Sequence, residues 1–305
     1  MTGDGTVTDG GRWELLRAIG AVADSPAAAR AVGPALGLGP VSDADHTEVF
    51  VLNCPPYAGI YLGPDGALGG EGTDRVAGFW RAIGVTPPAE PDHLTALLGL
   101  YACLGEAADG TRRDVTAAAL RRSRAALLAE HLWPWLPCYL DAVADGPVAK
   151  LAAWATLANH ALACERSAAH SPGKAPAERL PLALRAAPGG LNQDAGLKDL
   201  VGALVTPVRS GMILTRHRLA AGAEQIGVGH RIGERRFALW AVLEQDPPAA
   251  LAWLAGEAHR WELRHAARGA DAACRWWTAR AARTRQALED CAAAAAVAVE
   301  PAGAR

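Results

Sequence analysis

The chain has no C-x-x-C pair: its six cysteines (Cys54, Cys103, Cys138, Cys164, Cys274 and Cys291) are scattered through 305 residues. Wide spacing in a long chain points to buried free thiols rather than a disulfide framework or a zinc ribbon. Net charge is nearly absent, −2 from 30 basic and 32 acidic residues, which argues against bulk nucleic-acid binding. No run of about 18 or more apolar residues reads as a membrane span; the nearest is the weakly hydrophobic alanine tract at 292–299. The opening MTGDGTVTDGGRWELL has no apolar core of the secretory type, so a cytoplasmic location is expected. The glycines at 63, 66, 69, 70 and 72 follow no strand and lead to no Lys-Ser/Thr, which sets a phosphate loop aside. Neither G-x-S-x-G nor H-E-x-x-H occurs.

Period-two runs of Val, Ile, Thr and aromatics are also nearly missing. What is present is Ala, Leu and Arg, all strong helix formers, in a chain that is 50% hydrophobic and long enough for a real core. An all-α protein follows: a single compact helical bundle with additional C-terminal helices. Residues 1–11 are expected to be disordered, 12–170 to form the core and 171–193, with four prolines, to be an exposed linker. Residues 194–290 are read as further helices packed on that core, and 291–305 as a frayed tail. Asp92 is expected to cap the helix that starts at Leu94, and Asp114 the one that runs toward Leu132.

Three places carry polar residues in suggestive company. In Pro91-Asp92-His93-Leu94, capping needs Asp92 alone, and a cationic His at a helix N-terminus opposes the dipole, so His93 is expected to be neutral there. Glu130-His131 ends a helix before Leu132-Trp133-Pro134-Trp135; His131 either caps that end or borders a groove with Trp135. His160 and Cys164 stand at i, i+4, a metal-ligand spacing with no second pair of ligands, and no metal or other cofactor is expected.

Several segments then occur in a recognisable order. EVFVLN (48–53) is followed by PPYAGIYLG (55–63), VAGFWRAIGV (76–85), PDHL (91–94) and LAEHLWPWL (128–136). This set resembles the TorD/DmsD/NarJ family of molybdoenzyme-maturation chaperones, and covers about residues 45–145. Gly59 stands where relatives carry Ser between the two tyrosines. The resemblance implies a non-enzymatic, cytoplasmic, all-helical chaperone. Its partner would be the immature catalytic subunit of a molybdopterin-dependent oxidoreductase, often bound through a twin-arginine signal peptide, with help in cofactor insertion. Guanidinium groups need acceptors and aromatic faces. Glu48 and Asp92 would supply the first and Tyr57, Tyr61 and Trp80 the second, while Pro91 would fix the entry, His93 shape the site, and His131 and Trp135 border it.

Between 209 and 236, six arginines (209, 216, 218, 231, 235, 236) face Glu224 and Glu234, a local charge of +4. Two helices about a Gly-rich turn leave open a helical DNA-binding regulator, although the turn is looser than a helix-turn-helix requires. A hydrolase built on His93 and Asp92 lacks any nucleophile motif.

Overall fold

The computed structural model describes residues 9–169, 179–192 and 196–299. Among these the chain is all-helical, and its one trace of β pairing is an isolated bridge between Tyr57 and His93. The helices are α1 (Asp9–Asp24), α2 (Pro26–Val32), α3 (Asp43–His46), α4 (Ala58–Leu62), α5 (Gly70–Ala82), α6 (Leu94–Gly110), α7 (Asp114–Leu127) and α8 (Leu136–Ala144). They continue with α9 (Ala149–Ala169), α10 (Leu182–Arg185), α11 (Leu197–Leu204), α12 (Pro207–Ser210), α13 (Arg216–Gln225), α14 (Arg235–Gln245), α15 (Pro247–Ala267) and α16 (Ala272–Val299).

The chain divides into two compact units, residues 1–59 with 68–176, and residues 60–67 with 177–305. In the first, α1 lies along α6, and α8 along α9. Trp13, Leu16 and Ile19 of α1 are buried at helical spacing, as are Leu94, Leu97 and Tyr101 of α6. Gly105 lets these helices approach: a Cβ there would fall 2.4 Å from the Trp13 ring. In the second unit, α15 and α16 form a long antiparallel pair around Trp253, Trp261, Trp277 and Leu288. Gly222 of α13 seats Trp253 in the same way, with 2.2 Å between a would-be Cβ and the ring.

Helix starts follow local chemistry. Ser25 accepts from Ala28 N at 3.2 Å with Pro26 behind it, and Ser42 and Asp45 form a reciprocal capping box. The apolar stretch at 49–52 lies in a π-helical turn, Thr47–Asn53, closed by Asn53 Nδ2 donating to the Glu48 carbonyl at 2.8 Å. A second π-helical turn, Leu128–Leu132, ends α7. Two capping expectations are corrected. The residue ahead of α7 is Arg113, and Asp114 lies inside the first turn, where its charge still favours the dipole. The residue capping α6 is His93, not Asp92.

Part of the expected linker, 171–178 and 193, lies outside the described residues. Its described part contains α10, whose Ala183 and Leu184 are buried, so it is anchored there rather than wholly exposed. Residues 1–8 and 300–305 also lie outside; α16 runs through the alanine tract to Val299.

Candidate functional site

Prolines 55, 56 and 91 keep two short stretches out of helix, and the two stretches pair. Ala58 N donates to the Asp92 carbonyl at 3.0 Å and Leu94 N to the Pro56 carbonyl at 2.8 Å. Tyr57 and His93 face each other across this bridge, ring centroids 4.7 Å apart and edge-on. Two helices leave the bridge, α4 from the first stretch and α6 from the second.

Each helix is capped from Asp92-His93. The His93 ring accepts the Thr95 N–H at Nδ1, 3.3 Å away, which caps α6. Asp92 reaches across the bridge and accepts the Gly59 N–H at Oδ2, 2.9 Å away, in the first turn of α4. The acid therefore does cap a helix, but one that lies upstream in the chain. A carboxylate suits that place because the first N–H groups of a helix have no internal partner and carry its positive end. The same contact accounts for glycine at 59. A Cβ there would sit 2.9 Å from Asp92 Oδ2, and the adjoining helix approaches so closely that a Cβ on Gly72 would meet Gly59 Cα at 2.8 Å.

Burial decides which expected residues can meet a partner. Asp92 is 2% exposed and spent on Gly59, so it is not an open acceptor for a client arginine. Trp80 is buried and donates from Nε1 to the Pro91 carbonyl at 3.2 Å, which fixes the turn from beneath. Trp135 is wholly buried and donates from Nε1 to the His131 carbonyl at 2.8 Å, with Tyr139 against its ring. Tyr61 is buried too, and belongs to the second unit. The expected aromatic faces of Tyr61 and Trp80, and the expected groove border at Trp135, are thus core surfaces, because rings this large stabilise most when removed from water. Tyr57 alone among them remains half-exposed. Glu48 is half-buried and its Oε1 accepts from Asn53 Nδ2 at 2.9 Å.

His131 is buried against Phe79 at 4.8 Å. Burial, reinforced by the positive charge of Arg75, pushes its imidazole down to about 4. It is neutral at pH 7. Burial also lowers His93, against the upward pull of Glu90, Asp24 and Asp92. Burial and a hydrogen bond with Glu90 push the Tyr57 hydroxyl up to about 12.

Glu90 and Asp24 were not among the expected residues. Both are exposed, both act on Tyr57 and His93, and neither forms an ion pair among the described residues. Glu90 stands one residue before Pro91, within reach of a reading that took every acid near the bridge. Asp24 ends α1, far away in sequence, and only the packing of α1 on α6 brings it near. The result is a patch of two carboxylates without an ion pair among the described residues, one of them hydrogen-bonded with a half-exposed tyrosine on a rigid turn. It offers charge-assisted acceptors and a stacking face, the chemistry that an arginine-bearing peptide requires.

Elsewhere, Cys164 Sγ lies 3.7 Å from His160 Nε2, and no group of three or more His, Cys, Asp or Glu among the described residues is arranged to hold a metal. In the basic segment, Arg218 pairs with Glu257 and Arg235 Nη1 donates to the Leu214 carbonyl at 3.2 Å. The Gly-rich turn is tied by Gln245, which accepts from Gly229 N at 2.7 Å and donates to its carbonyl at 2.8 Å. Two of the six arginines therefore serve contacts within the fold. No helix among the described residues is long and apolar enough to cross a membrane.

Residues 41–140 match the family model described as "Nitrate reductase delta subunit", a family of molybdoenzyme-maturation chaperones and not of enzymes. The match contains the whole bridge, both helices that leave it, and His131. No curated protein and no solved structure matches the chain.

Proposed function

We propose, on the premise that residues 41–140 belong to the nitrate reductase delta subunit family, that this protein is a cytoplasmic chaperone for a molybdopterin-dependent oxidoreductase. It binds the immature catalytic subunit, through an arginine-bearing segment such as a twin-arginine signal peptide, and holds it while the cofactor is inserted. The observation that carries this reading is the Tyr57–His93 bridge with two acids that form no ion pair among the described residues, Asp24 and Glu90, inside or packed against the matched segment. Client arginines pair with Glu90 and Asp24 and stack on Tyr57, while Asp92, Trp80 and Pro91 keep that surface rigid. Rigidity matters because a preformed site does not lose side-chain freedom again when it binds.

A regulator that binds DNA through 209–236 is less well supported, since Arg218 and Arg235 are committed to contacts within the protein. Capture from the native host with the tagged full chain tests the proposal. The expected companion is the catalytic subunit of a molybdenum oxidoreductase in cofactor-free form. Recovery of no such subunit, or of the loaded enzyme alone, overturns it.

A further inference from the structure

Two groups of arginines in the second unit contrast. One is neutralised. Arg218 and Arg260 share Glu257, the latter at 2.6 Å, and Arg285 reaches Glu262 and Glu289, each at 2.9 Å. The other is Arg209, Arg280 and the exposed Arg283, none of which forms an ion pair among the described residues; Arg283 Nε donates to the Ala279 carbonyl at 3.0 Å.

Arg280 is the centre of this second set. It is 7% exposed, its guanidinium lies over the Trp276 ring at 4.7 Å, and its Nη1 donates to the Pro188 carbonyl at 3.0 Å. Its Nε, like that of Arg209, is buried without an acceptor. The charges that act on it, Arg283 and Arg209, are of like sign and add to burial in disfavouring its charged form. The loop backbone comes close to both arginines at this spot: a Cβ on Gly190 would stand 3.3 Å from Arg280 Nη1 and 3.6 Å from the Arg209 carbonyl oxygen.

The arrangement is also stiff. Gly211, with φ +77°, lies so close to α16 that a Cβ would meet Ala281 N at 2.5 Å. His265 is buried, and burial pushes its imidazole down to about 4. Its neutral ring donates from Nε2 to the Gly211 carbonyl at 2.9 Å. Arg209 and Arg280 are therefore presented from two backbones locked together, two residues from Gly211 and one from Ala281.

Like charges with open donors are costly inside a protein unless an opposite charge completes them. A guanidinium presents a planar fork of donors that fits phosphate-type oxyanions. We propose that Arg209, Arg280 and Arg283, beside the Pro188–Gly190 loop, form a binding site for a phosphate-type oxyanion, free or as the terminal group of a phosphomonoester. The site lies outside the matched segment and does not depend on the chaperone reading.

Calorimetric titration of the full-length protein with inorganic phosphate and with glycerol 3-phosphate, at fixed ionic strength set by chloride, tests the site. Saturable binding of phosphate is expected, weakened at least tenfold in Arg280→Gln and in Arg209→Gln. Arg209 is only half-buried, so its variant carries the test even if Arg280→Gln does not fold. Binding of glycerol 3-phosphate as well assigns the site to the end of a larger ligand; binding of phosphate alone assigns it to the free anion. Phosphate that binds no better than chloride, or equally well to wild type and Arg209→Gln, overturns the proposal.

Discussion

The two units use the same devices and end with opposite surpluses of charge. Each buries a glutamate that is held by arginine. Glu165 accepts from Arg12 at 2.5 and 2.6 Å and from the Tyr101 hydroxyl at 2.8 Å, and Glu257 holds Arg218 and Arg260. Each lays a tryptophan ring on a helical glycine, Trp13 on Gly105 and Trp253 on Gly222. Yet the first unit leaves acids unpaired around Tyr57, and the second leaves arginines unpaired around Pro188. Where a fold neutralises most of its buried charge, the groups it leaves over indicate the sign of what it meets: cationic groups at the first site, anionic groups at the second.

The shared packing device gives the largest expected effects. Gly105→Ala and Gly222→Ala each drive a methyl into a tryptophan ring that has no room to withdraw, and each should cost about 3 kcal/mol in chemical denaturation. If one unit tolerates its alanine and the other does not, the two tryptophan seats are not equivalent.

The all-helical fold was legible because composition and spacing are local properties: Trp13, Leu16 and Ile19 mark the buried face of α1 without knowledge of any neighbour. The bridge was half legible. The prolines flag extended backbone, and the ordered motifs single out Asp92 and His93. Which helix Asp92 caps depends on a contact between residues far apart in the chain, and local capping rules assign the acid to the nearest helix instead. Asp24 was invisible for the same reason. Pattern alone does not reveal that Tyr61, Trp80 and Trp135 are buried. The unpaired state of Arg209 and Arg280 depends on which carboxylates fold near them, and six arginines in a row of sequence do not disclose that two are committed elsewhere.

The second comparison concerns pH. His131 in the first unit and His265 in the second are each pushed down to about 4, chiefly by burial. An unfolded histidine takes its proton near 6.5, the folded one only near 4. The unfolded state therefore binds more protons in that window. The stabilisation is complete above about pH 6.5 and is lost as pH falls toward 4, at roughly 1.4 kcal/mol per pH unit for each histidine. Urea denaturation at pH 7 and at pH 5 checks this, with His131→Gln expected to remove its share of the slope. An unchanged slope would mean that His131 is hydrated in solution.

The smallest effect is the most informative about function. Titrating the native host's signal peptide against wild type, the double variant Asp24→Asn/Glu90→Gln, and Asp92→Asn separates the open acids from the structural one. Loss of both open carboxylates should weaken binding about tenfold, roughly 1.4 kcal/mol, with melting temperature unchanged. Asp92→Asn should lower the melting temperature and weaken binding less than the double variant does, because Asp92 holds the Gly59 N–H within the fold and supports the surface from beneath rather than meeting the client. Equal affinity for wild type and the double variant, with binding lost in Asp92→Asn, would contradict this account and return the client's arginine to Asp92.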